Sequence, residues 1–132
     1  MSGADLVLTF VGGGIGSLIR WGIGEALAAR LRAPFPWTTF LINVTGAFLI
    51  GFLSVFFRFE WTERFGHPIN TIVLTGVLGG YTTFSSMQLD TSRLLRSGKL
   101  CSGIGYLVGT LAASLAVAWF GGKLAEVLTG GA

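Results

Sequence analysis

The chain has 132 residues, enough for one domain. Nine basic and six acidic side chains leave only 11% of it charged, against roughly 25% in ordinary soluble domains, while 52% is hydrophobic and 21 residues are Gly. A disordered chain needs far more charge, and a soluble chain this short has too little interior to hide so much apolar surface. One Cys, Cys101, leaves neither an intrachain disulfide framework nor a Cys/His zinc cluster. The net charge of +3 is scattered, without the basic stripe that nucleic acid requires. Composition points to a lipid bilayer.

A helix crosses a bilayer core of about 30 Å with about 20 apolar residues. The charges cluster, with uncharged runs of 25 residues at Ala33 to Phe57, 25 at Phe65 to Leu89 and 23 at Leu100 to Gly122. The pattern predicts one all-α membrane domain over 1–132, with four spans near 5–28, 37–58, 70–94 and 100–124. The N-terminus, Met1 to Asp5, lacks the basic region of a signal peptide and is read as part of the mature chain. In the first span, Gly12-Gly13-Gly14-Ile15-Gly16 does not keep the register of a dinucleotide loop, and no strand precedes it. Gly12 and Gly16, one helical turn apart, instead permit close helix packing. Arg20 follows within the same span. A charge at that depth points to function, or its long stem reaches the headgroups from near the span's end; both readings stand at this level.

The second span carries Asn43 among Thr38, Thr39 and Thr45, an amide that bonds a neighbouring helix or faces a polar path. Span three reads Gly79-Gly80-Tyr81-Thr82-Thr83-Phe84-Ser85-Ser86-Met87-Gln88. Paired glycines followed by a hydroxyl-rich run predict a helix broken near Gly79–Thr83. Irregular backbone at that depth survives only when buried in protein or lining water, and broken helices often gather carbonyls and helix ends around ions. In span four, Tyr106, Thr110 and Ser114 follow at i, i+4 and i+8 on one stripe, beside Gly105 and Gly109. Trp37, Trp61 and Trp119 fall near span ends, at headgroup level. The polar inventory within the spans is mostly O–H and N–H donors, which suits an anion shedding its water. His67 and Cys101 read as loop and packing residues. No nucleophile arrangement, Walker loop or paired carboxylates occur, so the chain is not read as an enzyme.

Loop charges give little orientation. Arg30, Arg32, Arg93, Arg96 and Lys99 lie on one side, against Arg58, Arg64 and Lys123 with Glu60 and Glu63 on the other. So small a bias permits insertion in both orientations.

These residues resemble the Fluc (CrcB) family of fluoride ion channels. The anchors are Gly16-Ser17-Leu18-Ile19-Arg20, Thr39 through Asn43 to Gly46, Gly79 through Ser85, and the Tyr106/Thr110/Ser114 stripe. The resemblance implies a passive, fluoride-selective channel in the bacterial cytoplasmic (inner) membrane, assembled as an antiparallel, dual-topology homodimer with two pores and a central sodium ion. It assigns Asn43 as the pore amide and Phe84 as a ring whose positive edge faces fluoride. Tyr106, Thr110 and Ser114 match the polar track, with Ser85 and Thr39 beside it. The backbone carbonyls of Gly79 and Thr82 match the sodium ligands, and Arg20 the basic residue at the vestibule. Met87 stands where the family commonly has a second Phe. The alternative from the residues alone is a small proton-coupled multidrug-type exporter, which needs a carboxylate deep in the membrane; Glu25 lies only near a span end. A noncatalytic membrane scaffold is a third reading, which leaves the donor stripe without a purpose.

Overall fold

The computed structural model describes residues 1–58 and 67–131, and every regular element among them is helical. Helix α1 spans Gly3–Arg30. It starts with a reciprocal cap: Ser2 Oγ accepts the Asp5 N–H at 3.2 Å, and Asp5 Oδ2 accepts the Ser2 N–H at 2.7 Å. Past Arg30 the chain meets Pro34 and Pro36, whose missing N–H groups prevent the helix from continuing. Helix α2 spans Trp37–Phe56 and, after the intervening elements, α6 spans Leu100–Leu128. These three helices, of 28, 20 and 29 residues, are long and apolar enough to cross a membrane. At 1.5 Å per residue each reaches or exceeds the bilayer core of about 30 Å.

The third expected span is assembled from pieces. Pro68 fills the first position of α3, Pro68–Asn70, where its missing N–H costs nothing. A π-helical stretch, Thr71–Val77, runs into α4, Leu78–Tyr81. The backbone then becomes extended at Thr82 (φ −74°, ψ 154°) and Thr83 (φ −147°, ψ 108°), and α5 begins at Phe84 and ends at Arg96. The interruption thus falls at Thr82–Thr83, the end of the predicted window. Gly79 and Gly80 stay helical; the β-branched threonines, whose hydroxyls offer the backbone other partners, carry the break. Trp61, Glu60, Glu63 and Arg64, used above for headgroup depth and charge bias, lie outside the described residues.

Glycines set how the helices meet. A Cβ on Gly12 would sit 2.5 Å from the Ile72 carbonyl oxygen, and one on Gly16 would run into the Val77 carbonyl. The two glycines therefore press α1 backbone-to-backbone against 72–77, the close packing their spacing predicts. Gly76 and Gly80 complete that contact from the other side, against Gly12 and Gly13. They are consumed inside the subunit and offer no open face. Gly105 and Gly109 do remain open, with nothing within 4 Å of an added Cβ. Helix α2 lies along α6, where Gly51 meets the Ala118 carbonyl and Gly121 sits under Phe48. Such contacts matter because helices in lipid gain no hydrophobic drive from meeting each other.

Two small apolar clusters fill the inside: Leu74 and Leu78 against Ile50 and Leu53, and Met87, Leu94 and Tyr106 against Phe35, Phe40 and Leu107. Large apolar side chains elsewhere point outward, with Phe10 84% and Leu115 74% exposed. The Gly16 contact gives a direct test. Gly16→Ala forces helix against helix, for which overpacking costs of about 1–3 kcal/mol are typical. Thermal unfolding in detergent should show a clear drop for Gly16→Ala and no drop for Gly22→Ala, where an added Cβ meets nothing within 4 Å.

Candidate functional site

Where the third stretch breaks, a groove of about 230 Å³ opens between α2, α5 and α6. Of the residues expected to serve ions, Asn43, Thr82, Phe84, Met87, Thr110 and Ser114 line it. Ala47, Ile50, Thr83 and Leu111 also line it, so among the described residues no carboxylate lines the groove. Residues up to 71 positions apart in sequence converge here because α2 packs along α6 and α5 packs on α6.

The break is held by one side chain. Asn43 Oδ1 accepts the Thr83 N–H at 2.8 Å while Asn43 Nδ2 donates to the Thr83 carbonyl at 3.0 Å. The amide thus replaces a strand partner for a residue that belongs to no helix. One of its two N–H bonds is committed to Thr83, leaving the other for the groove. Thr83 then caps α5: its Oγ1 accepts the Ser86 N–H at 3.1 Å. On the preceding side, the Tyr81 hydroxyl bonds Thr45 at 2.9 Å, so α2 grips the chain on both flanks of the break. Gly46 is required opposite it, since an added Cβ would strike the Thr82 methyl.

The hydroxyl stripe is only partly a row of donors. Thr110 Oγ1 donates to the Tyr106 carbonyl at 2.6 Å, so its proton is committed to its own helix and lone pairs face the groove. Tyr106 is 1% exposed and sits in the core cluster beneath the groove, edge-on to Phe35. Its hydroxyl makes no hydrogen bond of ordinary geometry. Met87, 2% exposed, lines the groove from the same cluster. Thr39 does not reach the groove; its hydroxyl donates to Asp90 Oδ2 at 2.7 Å. Ser85 is exposed and lies 3.3 Å from the Thr83 hydroxyl. Phe84, 63% exposed, presents its ring to the opening.

Three features escaped the sequence reading. Thr83 is the residue on which the site is built, and only its place after the paired glycines marks it. Asp90, half-buried between Thr39 and Arg93, is a carboxylate close to the polar stripe. The third is the partner of Arg20, a residue singled out above: its Nη1 donates to the Thr82 carbonyl at 3.3 Å. It is tied to the break, in addition to any role at a vestibule.

Residues 7–122 match the family described as CrcB-like protein, Camphor Resistance (CrcB). The chain belongs to the CrcB-like family. Among its relatives, the fluoride-specific ion channel FluC 3 of Yersinia pestis is 49% identical over 125 residues, covering 95% of this chain and 99% of the relative. FluC 2 of Brucella abortus is 47% identical, covering 96% and 98%. A FluC of Thermus thermophilus is 36% identical, covering 94% and 97%.

In this CrcB-like chain the break also frees two carbonyls. A continuous helix would bond the Gly79 carbonyl to the Thr83 N–H and the Thr82 carbonyl to the Ser86 N–H. Those donors go to Asn43 and to Thr83 Oγ1. Gly79 and Thr82 thus offer backbone oxygens at the negative end of a helix, the donor type a hard cation takes. Gly79 is also exposed, with open space where a Cβ would stand. Within the subunit a small side chain there would not distort the break. Backbone oxygens of this type fit what a sodium ion would take. Asn43→Ala strips Thr83 of both partners, and each unsatisfied buried group costs about 1–3 kcal/mol. Hydrogen exchange at the Thr83 amide should therefore accelerate at least tenfold in that variant, with α2 amides unchanged.

Proposed function

We infer that this protein is a fluoride-specific ion channel of the bacterial cytoplasmic membrane, carrying fluoride passively out of the cell. The observation that carries the reading is the groove at the broken helix, lined by an amide, hydroxyls and an aromatic ring and, among the described residues, by no carboxylate. Relatives that share nearly the whole chain and are named fluoride-specific channels support it. A proton-coupled exporter would need an exchangeable acid in that groove, and the described residues of its lining supply none.

Fluoride is small and binds water strongly, so a selective path must supply close donors in a narrow space. The second N–H of Asn43 and the Ser114 hydroxyl are such donors. Phe84 adds a weakly positive ring edge and a wall against larger anions. It is also the first residue of α5, so the anion would meet the positive end of that helix. Met87 gives bulk without a polarised edge, which makes this a one-ring pathway.

The functional unit in this reading is a homodimer of four-span subunits in opposite orientations, embedded in lipid. The weak charge bias and the open Gly79, Gly105 and Gly109 support it. Carbonyls of Gly79 and Thr82 from both subunits would hold sodium at the axis. When bound, the ion supplies fixed positive charge between the pathways and joins two helix ends that otherwise repel.

Reconstitution in liposomes tests the function. Wild-type protein should release fluoride without a proton gradient, and Asn43→Asp should nearly abolish release while still running as a dimer on size exclusion. A carboxylate at position 43 repels a passing anion by about 4 kcal/mol at ~4 Å and an effective dielectric near 20, about a 10³-fold loss of occupancy.

A further inference from the structure

Gly12, Gly16 and Arg20 stand at i, i+4 and i+8, on one stripe of α1. The two glycines lock that stripe against 72–77, which leaves Arg20 fixed one turn further on, beside the end of α4. There its guanidinium donates to the Thr82 carbonyl. Among the described residues Arg20 makes no ion pair; those formed by the basic side chains are Arg93 with Asp90 and Lys123 with Glu126. A half-buried guanidinium without a carboxylate is balanced here by carbonyl dipoles at a helix C-terminus. That is the same electrostatic well that would draw a bound cation, and the same oxygen.

We propose that Arg20 and the axial cation compete for the Thr82 carbonyl, so that Arg20 sets the sodium affinity of the break and swings away when sodium binds. The inference rests on the sodium reading given above. Two positive charges within about 5 Å of each other weaken binding by roughly a hundredfold at an effective dielectric near 20, and a flexible side chain that retreats relieves part of this. The retreat carries the guanidinium off the helix end and frees its positive charge to concentrate anions. Cation binding and anion capture are thereby coupled, and the coupling is reciprocal.

The test measures sodium binding, not flux. A ligand that binds only the folded protein raises its thermal midpoint in proportion to its occupancy. The full-length protein in detergent is melted across a sodium chloride series, with N-methylglucamine chloride holding ionic strength constant. Arg20→Gln keeps an N–H donor for the carbonyl but removes the charge, and should lower half-saturating sodium at least tenfold. Arg20→Lys, which keeps the charge, should stay within about threefold of wild type. A sodium response in the wild type that Arg20→Gln does not shift overturns the competition and leaves the sodium site standing. No response to sodium in any variant overturns the sodium site itself, and the competition with it. A readout that needs no substitution is the Arg20 Nε–H resonance of the wild-type protein. It should move along the sodium titration with the midpoint of the thermal series; a resonance unmoved through saturation overturns the proposal.

Discussion

Two hydrogen bonds from one amide organise this molecule. Asn43 bonds both backbone groups of Thr83, and without it that extended residue would sit between α4 and α5 with neither its N–H nor its carbonyl satisfied. In a bilayer such a vacancy is expensive, because no water is at hand to fill it. With the amide in position the chain can stop one helix and start another mid-protein. That interruption has three consequences: carbonyls released from Gly79 and Thr82, a capped new helix at Phe84, and a groove between them. The two helix ends present opposite partial charges at one place, negative from α4 and positive from α5. A single device so supplies the environment for a cation on one flank and for an anion on the other.

The rigidity of the surroundings makes the device stable. Helix α1 cannot slide on 72–77 because Gly12 and Gly16 leave room for backbone and nothing more. Helix α2 is fixed to α6 by the same means at Gly51 and Gly121. The π-helical turn from Thr71 to Val77 places the Leu78–Tyr81 turn where Tyr81 reaches Thr45 and Thr82 reaches Gly46. Extra backbone per turn of this kind is common where function requires a helix to be re-aimed.

Much of this was legible in the sequence, and the reasons for the rest are physical. Charge-free runs marked α2 and α6 to within a few residues, since burial in lipid demands length and apolarity together; α1, with Arg20 and Glu25 inside it, was marked less cleanly. The break was visible as two glycines followed by threonines, although the threonines, not the glycines, carry it. Six of the named ion-site residues meet at the groove because helical spacing is a local property that sequence records. Partnership is not local. Nothing near Asn43 says that its amide is committed to a residue 40 positions on, nor that Thr110 bonds backward to Tyr106. The glycines at 76 and 80 advertised a packing face without saying whose backbone would fill it. Arg20 belonged to a stripe already noted for its glycines, and only its contact with Thr82 shows where that stripe leads.

The Asn43–Thr83 bridge also bears on biogenesis. Both of its partners lie in one polypeptide, and the contacts of Gly12 with Ile72 and of Thr45 with Tyr81 steady the break from within it. A newly inserted chain can therefore finish its groove before it meets another, and it can do so whichever end faces the cytosol, because an amide bonded to a backbone has no sense of sidedness. In the dimer proposed above, assembly then becomes the joining of completed halves, with quality control possible on each chain by itself.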